Sequence, residues 1–446
     1  MITKEERTIL IYTPQITNRL KYIFDFIFAQ ELGLSYQICT NQSSFEKSEL
    51  NKFSYSNENI FKEVPFLESH KLLQETAIQE INIDTFIHEN YKAFFKTPEP
   101  SFFGFDIFAA SFYLLSRYEE YLPFNADEHG RFQAEQSLAF KEDFLEIPLI
   151  NIWINLFKIK LFNLLPDLIF KPQHFRFIST IDIDNAYADL NKGIYRSSFS
   201  LIKLLFSFNF NKFIEKIKVL NYSIKDKYDN YDFIEQIHEK YDFKPLYFVL
   251  YSRYGKYDKN PSINNKAFKN LIIKLAQKYE IGLHPSYQSN QSIKILREEK
   301  SGLENIIKKP ITSSRQHFLK LSFPSTYENL IAQGIQQDFS MGYSSMPGFR
   351  ASVCSAYKFF NLITNNVSDL EIIPFAFMDA CFVHYLKLNP EDAFKKIKKI
   401  IETLKKVNGL FVSLYHNENL QNTKSQFDWR YVFDLMLFEV KNGHSI

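Results

Sequence analysis

Seven short apolar runs, separated by helical patterns, occupy the chain between residues 175 and 416, and this alternation constrains the fold more than any other feature. They are FRFISTIDID (175–184), PLYFVLYS (245–252), YEIGLH (279–284), PITSSRQH (310–317), DFSMGY (338–343), LEIIPFAFMD (370–379) and GLFVSLYH (409–416). Strands alternating with crossover helices build a largely parallel sheet. Residues 264–279 set Phe268, Leu271, Ile272, Leu275 and Ala276 on one helical stripe. Asn389-Pro390 opens a second helix with core positions Phe394, Ile397, Ile401 and Leu404, and Gly409 stands where a left-handed cap is expected. The pattern predicts an α/β fold, a distorted (β/α)7 barrel over residues 171–446.

Residues 1–170 have another texture. Strands are expected at 9–12 and 34–39, then long helices at 105–121 and 150–164, so this part reads as a smaller α/β domain of unassigned role. The boundary falls near Pro166 to Pro172. A chain of 446 residues accommodates two or three such units. The charged clusters SRYEEY (116–121) and DEHGRF (127–132) read as a solvated face or an interdomain contact rather than as catalytic groups.

Composition narrows the classes. With 53 basic and 51 acidic residues the net charge is +2, which leaves no polyanion-binding footprint and no nucleic-acid partner expected. Cys39, Cys354 and Cys381 lack paired spacing, so neither a disulfide framework nor a thiolate zinc site is indicated and a reducing compartment fits. The opening MITKEERTILIYTP puts charges directly before a short apolar run, unlike an export signal. Apolar stretches at 150–170 and 199–213 are broken by Lys158, Lys160, Asp167, Lys203 and Lys212, so no membrane span is expected and the protein reads as cytoplasmic, its oligomeric state open.

In a (β/α) barrel the reactive groups stand at the carboxyl ends of the strands. Five of the seven runs end in, or carry late, such a residue: Asp182 and Asp184, His284, Arg315 with His317, Asp379, and His416. Any one alone is more simply a cap or a satisfied polar group; their recurrence at strand ends points to one site. Asp182 and Asp184, two apart, leave one face of a strand, an arrangement suited to a divalent metal that lets both stay ionised. His284, halted by Pro285, offers an imidazole ligand. His416 stands where a general acid would protonate a leaving amine, with a core histidine satisfied by Glu418 as the competing reading. Five of only 12 glycines lie between residues 282 and 348. There MGYSSMPGFR (341–350) reads either as a loop whose Gly342 and Gly348 approach a ligand while Tyr343 and Arg350 contact it, or as a tight turn with a surface arginine.

These ordered motifs resemble the polysaccharide deacetylase family, the NodB-homology carbohydrate esterases, and in particular its bacterial two-domain members with an uncharacterised amino-terminal part; the resemblance covers about residues 175–420. The family's Thr-Phe-Asp-Asp is similar to Thr180-Ile181-Asp182-Ile183-Asp184, its His-Ser/Thr-x-x-His to His284-Pro285-Ser286-Tyr287-Gln288. Its Arg-x-Pro-Tyr is similar to Arg315-Gln316-His317-Phe318 and its Leu-x-His to Leu414-Tyr415-His416. The resemblance implies metal-dependent removal of an acetyl group from an N-acetylated sugar or glycan precursor. It implies Asp182 as base, Arg315 as the residue orienting it, His416 as acid, and Asp184 and His284 as ligands of a divalent ion, with zinc expected. Here the carboxylates are not adjacent, Gln288 replaces the second histidine, and the third motif lacks its proline and tyrosine. His317 is the expected third ligand, with Gln288, Asp379 or a water as alternatives, and Asp379 is otherwise expected to contact the substrate. Two other functions stay in view: a glycan-binding pseudoenzyme on the same barrel, and a glycoside hydrolase in which Asp182 and Asp379 flank a cleft at about 5 to 10 Å.

Overall fold

A computed structural model of the protein describes residues 5–423, 425 and 428–442. The opening segment read for an export signal and the end of the 171–446 unit fall partly on residues 1–4 and 443–446, outside that description.

Four parallel strands, β1 (Thr8–Tyr12), β2 (Ser35–Cys39), β3 (Lys52–Ser56) and β4 (Phe66–Glu68), form the first sheet in the order β2-β1-β3-β4. The run TILIY is buried at every position, the pattern of a strand covered on both faces. A small hairpin follows, β5 (Phe86–His88) and β6 (Tyr91–Ala93). The helix expected over 105–121 stops at Leu115. Asp106 caps its start by accepting from the Phe108 and Ala109 N–H groups, and Arg117, left-handed at φ 53°, ends it before a 3-10 turn Tyr118–Tyr121.

The second sheet holds β7 (Arg176–Ile183), β8 (Leu246–Val249), β9 (Glu280–Leu283), β10 (Ser313–Ser314), β11 (Gln337–Asp338), β12 (Tyr357–Asn361), β13 (Asn366–Ile372), β14 (Phe377–Met378) and β15 (Leu410–His416). Their order is β12-β13-β11-β10-β9-β8-β7-β15-β14, parallel except for the β12/β13 hairpin. The α/β class and the largely parallel sheet are as expected, while closure into a seven-stranded barrel is not shown. The run 370–379 is two strands rather than one, because Pro374 has no N–H to give a ladder. Its first half pairs with β11 at one end of the sheet and its second with β15 at the other. Among the described residues the hydrogen-bonded sheet is therefore open, its ends linked by residues 373–376. The helices around it follow their stripes: Lys266–Lys278 buries all five expected residues, and Pro390–Lys406 is capped by Asn389. The left-handed residue after the latter is Asn408 at φ 51°, not Gly409. No helix of the described residues is long and apolar enough to cross a membrane.

One continuous apolar core runs beneath both sheets. The Tyr22 and Phe112 rings meet Phe360 at 5.1 and 5.2 Å. At its polar centre sits Glu120 of the SRYEEY cluster, 6% exposed. Its carboxylate accepts from Arg117 Nε at 2.8 Å and from Arg350 Nε and Nη2 at 2.9 and 2.5 Å. Arg350, 2% exposed, is thus held on Glu120 rather than free on a surface loop. Tyr343, also buried, packs against the same cluster, its hydroxyl 3.4 Å from Arg117 Nη2. The loop's glycines serve this packing: a side chain at Gly342 would enter the Phe375 ring, and one at Gly348, φ 144°, would strike Leu145. Burial pushes the Glu120 carboxyl up, but Arg350 and Arg117 outweigh it and hold it below the usual glutamate range. Its contribution to stability is accordingly present above that range and lost as pH falls through the lowered value. Glu120→Ala leaves the buried Arg350 guanidinium without its carboxylate and Arg117 with Glu119 alone, and should cost about 3–5 kcal/mol in a urea titration. A loss under about 1 kcal/mol would show that the cluster does not hold the two sheets together.

Candidate metal and acid–base site

The strand ends open on a cleft of about 400 Å³ whose lining includes Asp182, Asp184, His284, His317 and His416. Strand pairing sets the first contacts. Asp182 on β7 lies directly beside His416 on β15, and Asp184 stands two residues further out on the same face. His284 leaves β9 with its N–H bonded to the Val249 carbonyl, and the His317 N–H reaches Pro285 O at 3.1 Å.

Asp184, His284 and His317 place ligand atoms within 4.8 Å of one another. His284 Nε2 is 3.0 Å from Asp184 Oδ1, and His317 Nε2 is 3.4 Å from Asp184 Oδ2. Each imidazole is anchored from behind. His284 Nδ1 meets the Arg315 carbonyl oxygen, which can only accept, so Nδ1 carries hydrogen and Nε2 is left to face the cluster. His317 Nδ1 meets Asp258 Oδ1 at 2.8 Å in the same way. Asp184 Oδ1 is buried with no hydrogen-bond partner among the described residues despite its nearby imidazole. A buried carboxylate oxygen and two imidazole nitrogens converging on one point fit a divalent cation, and the groups behind the imidazoles are the usual supports of such ligands. Burial pushes the Asp184 carboxyl up, yet His317 and His284 hold it well below the carboxylate range. Burial lowers His317, but Asp184 and Asp258 outweigh it and raise it to about 9.

Two further dyads flank this cluster. Arg315, with no exposed surface, donates from Nη1 to Asp182 Oδ1 at 2.7 Å and to Thr180 Oγ1 at 2.8 Å. The other carboxylate oxygen, Oδ2, lies 3.8 Å from His284 Nε2. On β15, His416 Nδ1 meets Asp379 Oδ1 at 2.6 Å while its backbone N–H donates to Oδ2 at 2.7 Å. Burial lowers His416, but Asp379 reverses this and raises it well above the ordinary imidazole value, which favours the charged ring. Asp379, fully buried on His416, is neither the substrate contact nor the cleft carboxylate of a glycosidase pair. Asp379, rather than Glu418, satisfies His416. Glu418 lines the cleft, and burial together with Asp184 raises it to about 7. Gln288 lines a separate hollow with Glu299, away from the cluster.

Sequence reasoning missed Asp258, because the run 245–252 ends in no charged group and the carboxylate comes later, in the loop after β8. It also set aside Arg131 of the DEHGRF cluster, which lines the cleft from the amino-terminal part while donating to Asp127 Oδ2 at 2.7 Å and Phe318 O at 2.8 Å.

Residues 9–166 match the model of a family of unknown function (DUF7033). No curated protein matches the chain. Among solved structures it is similar to one from Mycobacterium smegmatis described as a polysaccharide deacetylase by assignment, with 13% identity over 61% of this chain and 85% of that one, TM-score 0.40. It is similar to the polysaccharide deacetylase Bc1974 from Bacillus cereus, with 12% identity over 60% and 89%, TM-score 0.29. A third is BA3943, a CE4 family pseudoenzyme from Bacillus anthracis, with 10% identity over 62% and 63%, TM-score 0.33. At such distances the chemistry of this chain has to be argued from its own side chains.

Purified protein should carry one divalent ion, read by elemental analysis. Asp184→Asn and His284→Ala should lose it, and Asp258→Asn should weaken it by about 10- to 100-fold through His317. Equal metal in all three variants and the native chain would remove the assignment.

Proposed function

We propose that the protein is a metal-dependent amide hydrolase that removes an acetyl group from an N-acetylated sugar or glycan precursor, with zinc as its ion. One observation carries the hydrolytic part: two independently braced groups, Asp182 on Arg315 and His416 on Asp379, each stand 3.8 Å from a member of the Asp184, His284 and His317 cluster. The sugar part is supported by the resemblance of the strand-end motifs to polysaccharide deacetylases. We further propose residues 171–446 as the catalytic unit and residues 1–170 as the part that buttresses it and lends Arg131 to the cleft.

A bound divalent cation supplies polarisation of the amide carbonyl and a water of lowered pKa. Asp182, held in place by Arg315 Nη1, takes a proton from the water as its oxygen adds to the carbonyl carbon. His416 delivers its proton to the amide nitrogen as the C–N bond breaks, leaving a carboxylate and a free amine. Asp379 keeps the His416 ring oriented and favours its charged form, so the acid is ready before the leaving group needs it. Arg315 touches no reacting atom in this scheme and acts as a positioning residue.

Acetate release from chitooligosaccharides and nucleotide-linked N-acetyl sugars tests the reading. Asp182→Asn and His416→Ala should each slow turnover by about 10²- to 10⁴-fold with folding intact. Arg315→Lys should lower kcat, since an ammonium cannot reproduce the planar fork. No release from the whole panel by metal-loaded protein would overturn the proposal, and glycan binding without turnover would establish the pseudoenzyme instead.

A further inference from the structure

Between β7 and β8 the chain makes an excursion that the site does not use: two helices, Ile194–Phe206 and Phe210–Leu220, joined by a short turn. Tyr195, Phe199 and Phe206 recur at helical spacing on the first helix, and Phe210 and Ile214 on the second. Such stripes ordinarily face a core. Here they face outward: Tyr195 is 92% exposed, Phe206 81%, and Phe208 in the turn 79%. The first helix buries none of its residues, and the second buries only Lys216 and Val219.

Charge decides between possible occupants. Residues 192–224 carry six basic side chains and a single acid, Glu215. Lys216 is spent on Asp189 at 2.7 Å, while Lys203, Lys212 and Lys218 are exposed beside the aromatic stripes. A second copy docking the same patch would bring these bases against their own kind. An anionic lipid surface pairs with the bases and takes up the aromatic rings at the headgroup boundary. We infer that the hairpin 194–220 is a peripheral membrane anchor that docks flat on an anionic bilayer. Its root lies at the cleft: Arg196 Nη1 donates to Asn260 O at 3.2 Å and Lys192 Nζ to Lys259 O at 3.3 Å, and Lys259 is a cleft-lining residue. Docking therefore brings the cleft mouth beside the headgroups. The inference rests on the hairpin alone and is independent of the reaction proposed above.

Flotation of the full chain with phosphatidylcholine vesicles, with and without phosphatidylglycerol, is the test. The protein should float with the anionic vesicles only and be released by high salt. The triple variant Lys203→Gln, Lys212→Gln, Lys218→Gln should bind roughly a hundredfold more weakly, at about fivefold per base. Phe199→Ser with Phe206→Ser and Phe208→Ser should abolish binding while circular dichroism and metal content match the native chain. Phe208→Trp, which keeps an aromatic in the turn, should show blue-shifted emission and quenching by brominated lipid. No flotation of the native chain, or flotation and Trp emission indifferent to the vesicles' charge, would overturn the anchor. A concentration-dependent dimer that the Phe→Ser variant dissociates, without vesicle binding, would reassign the surface to a second copy.

Discussion

An arginine with no exposed surface has to find acceptors inside the protein, and the search by Arg315 organises the second sheet. Its Nη1 joins Thr180 and Asp182 on β7, its Nε donates to Phe339 O just past β11, and its own carbonyl orients His284 at the end of β9. Nη2 has no hydrogen-bond partner. The guanidinium lies 4.5 Å above the Phe248 ring, with Phe339 and Phe375 at 5.8 and 5.7 Å, so attraction to aromatic faces offsets part of that deficit. One residue thereby fixes the Asp182 carboxylate with its side chain and the His284 tautomer with its backbone carbonyl.

The three histidines of the cleft show how partner choice divides identical side chains. His284 is backed by a neutral carbonyl, His317 by Asp258 and His416 by Asp379, each through Nδ1. The first two aim Nε2 at Asp184 from 3.0 and 3.4 Å, close enough to share a small cation with it. His416 Nε2 stands back at 3.8 Å, and its backing carboxylate has no exposed surface, so charge on the ring is strongly favoured. The two rings nearest Asp184 are placed to share a cation with it, whereas the one held back on a buried carboxylate is placed to act as an acid.

Much of this was legible in the sequence, and the failures have physical causes. Strands ending in Asp, His or Arg are visible because burial forces an apolar run and chemistry forces the polar end. The period of two therefore placed Asp182 with Asp184, and Arg315 with His317, on shared faces. Asp258 was invisible because a loop has no period to read. Arg350 misled because a glycine-flanked arginine looks exposed in one dimension, and only the folded chain brings Glu120, 230 positions away, onto its guanidinium. The run 370–379 was read as one strand because its apolar content is continuous, while its hydrogen-bonding capacity is interrupted at Pro374. Of the β12/β13 hairpin only residues 370–372 lie in an expected run, and β12 was not read, since no strand end there carries chemistry.

That hairpin explains why the amino-terminal part is bound to the rest. β12 closes one end of the nine-stranded sheet, and an uncovered edge invites pairing with other chains. Tyr22 donates its hydroxyl to Lys358 O at 2.9 Å and Gln30 Nε2 donates to Ala356 O, so free carbonyls along this edge are taken up by the neighbouring helices. Arg19 Nε reaches Asn365 Oδ1 at 3.0 Å in the turn between β12 and β13. The same half buries Glu120 against Arg350 and sends Arg131 to the cleft. Covering an edge, filling a core and lining a cavity are three demands met by one surface. Separating residues 1–170 from 171–446 would expose the sheet edge, the apolar core and two buried charges together. The two halves are therefore units of topology, while stability and the shape of the cleft belong to both.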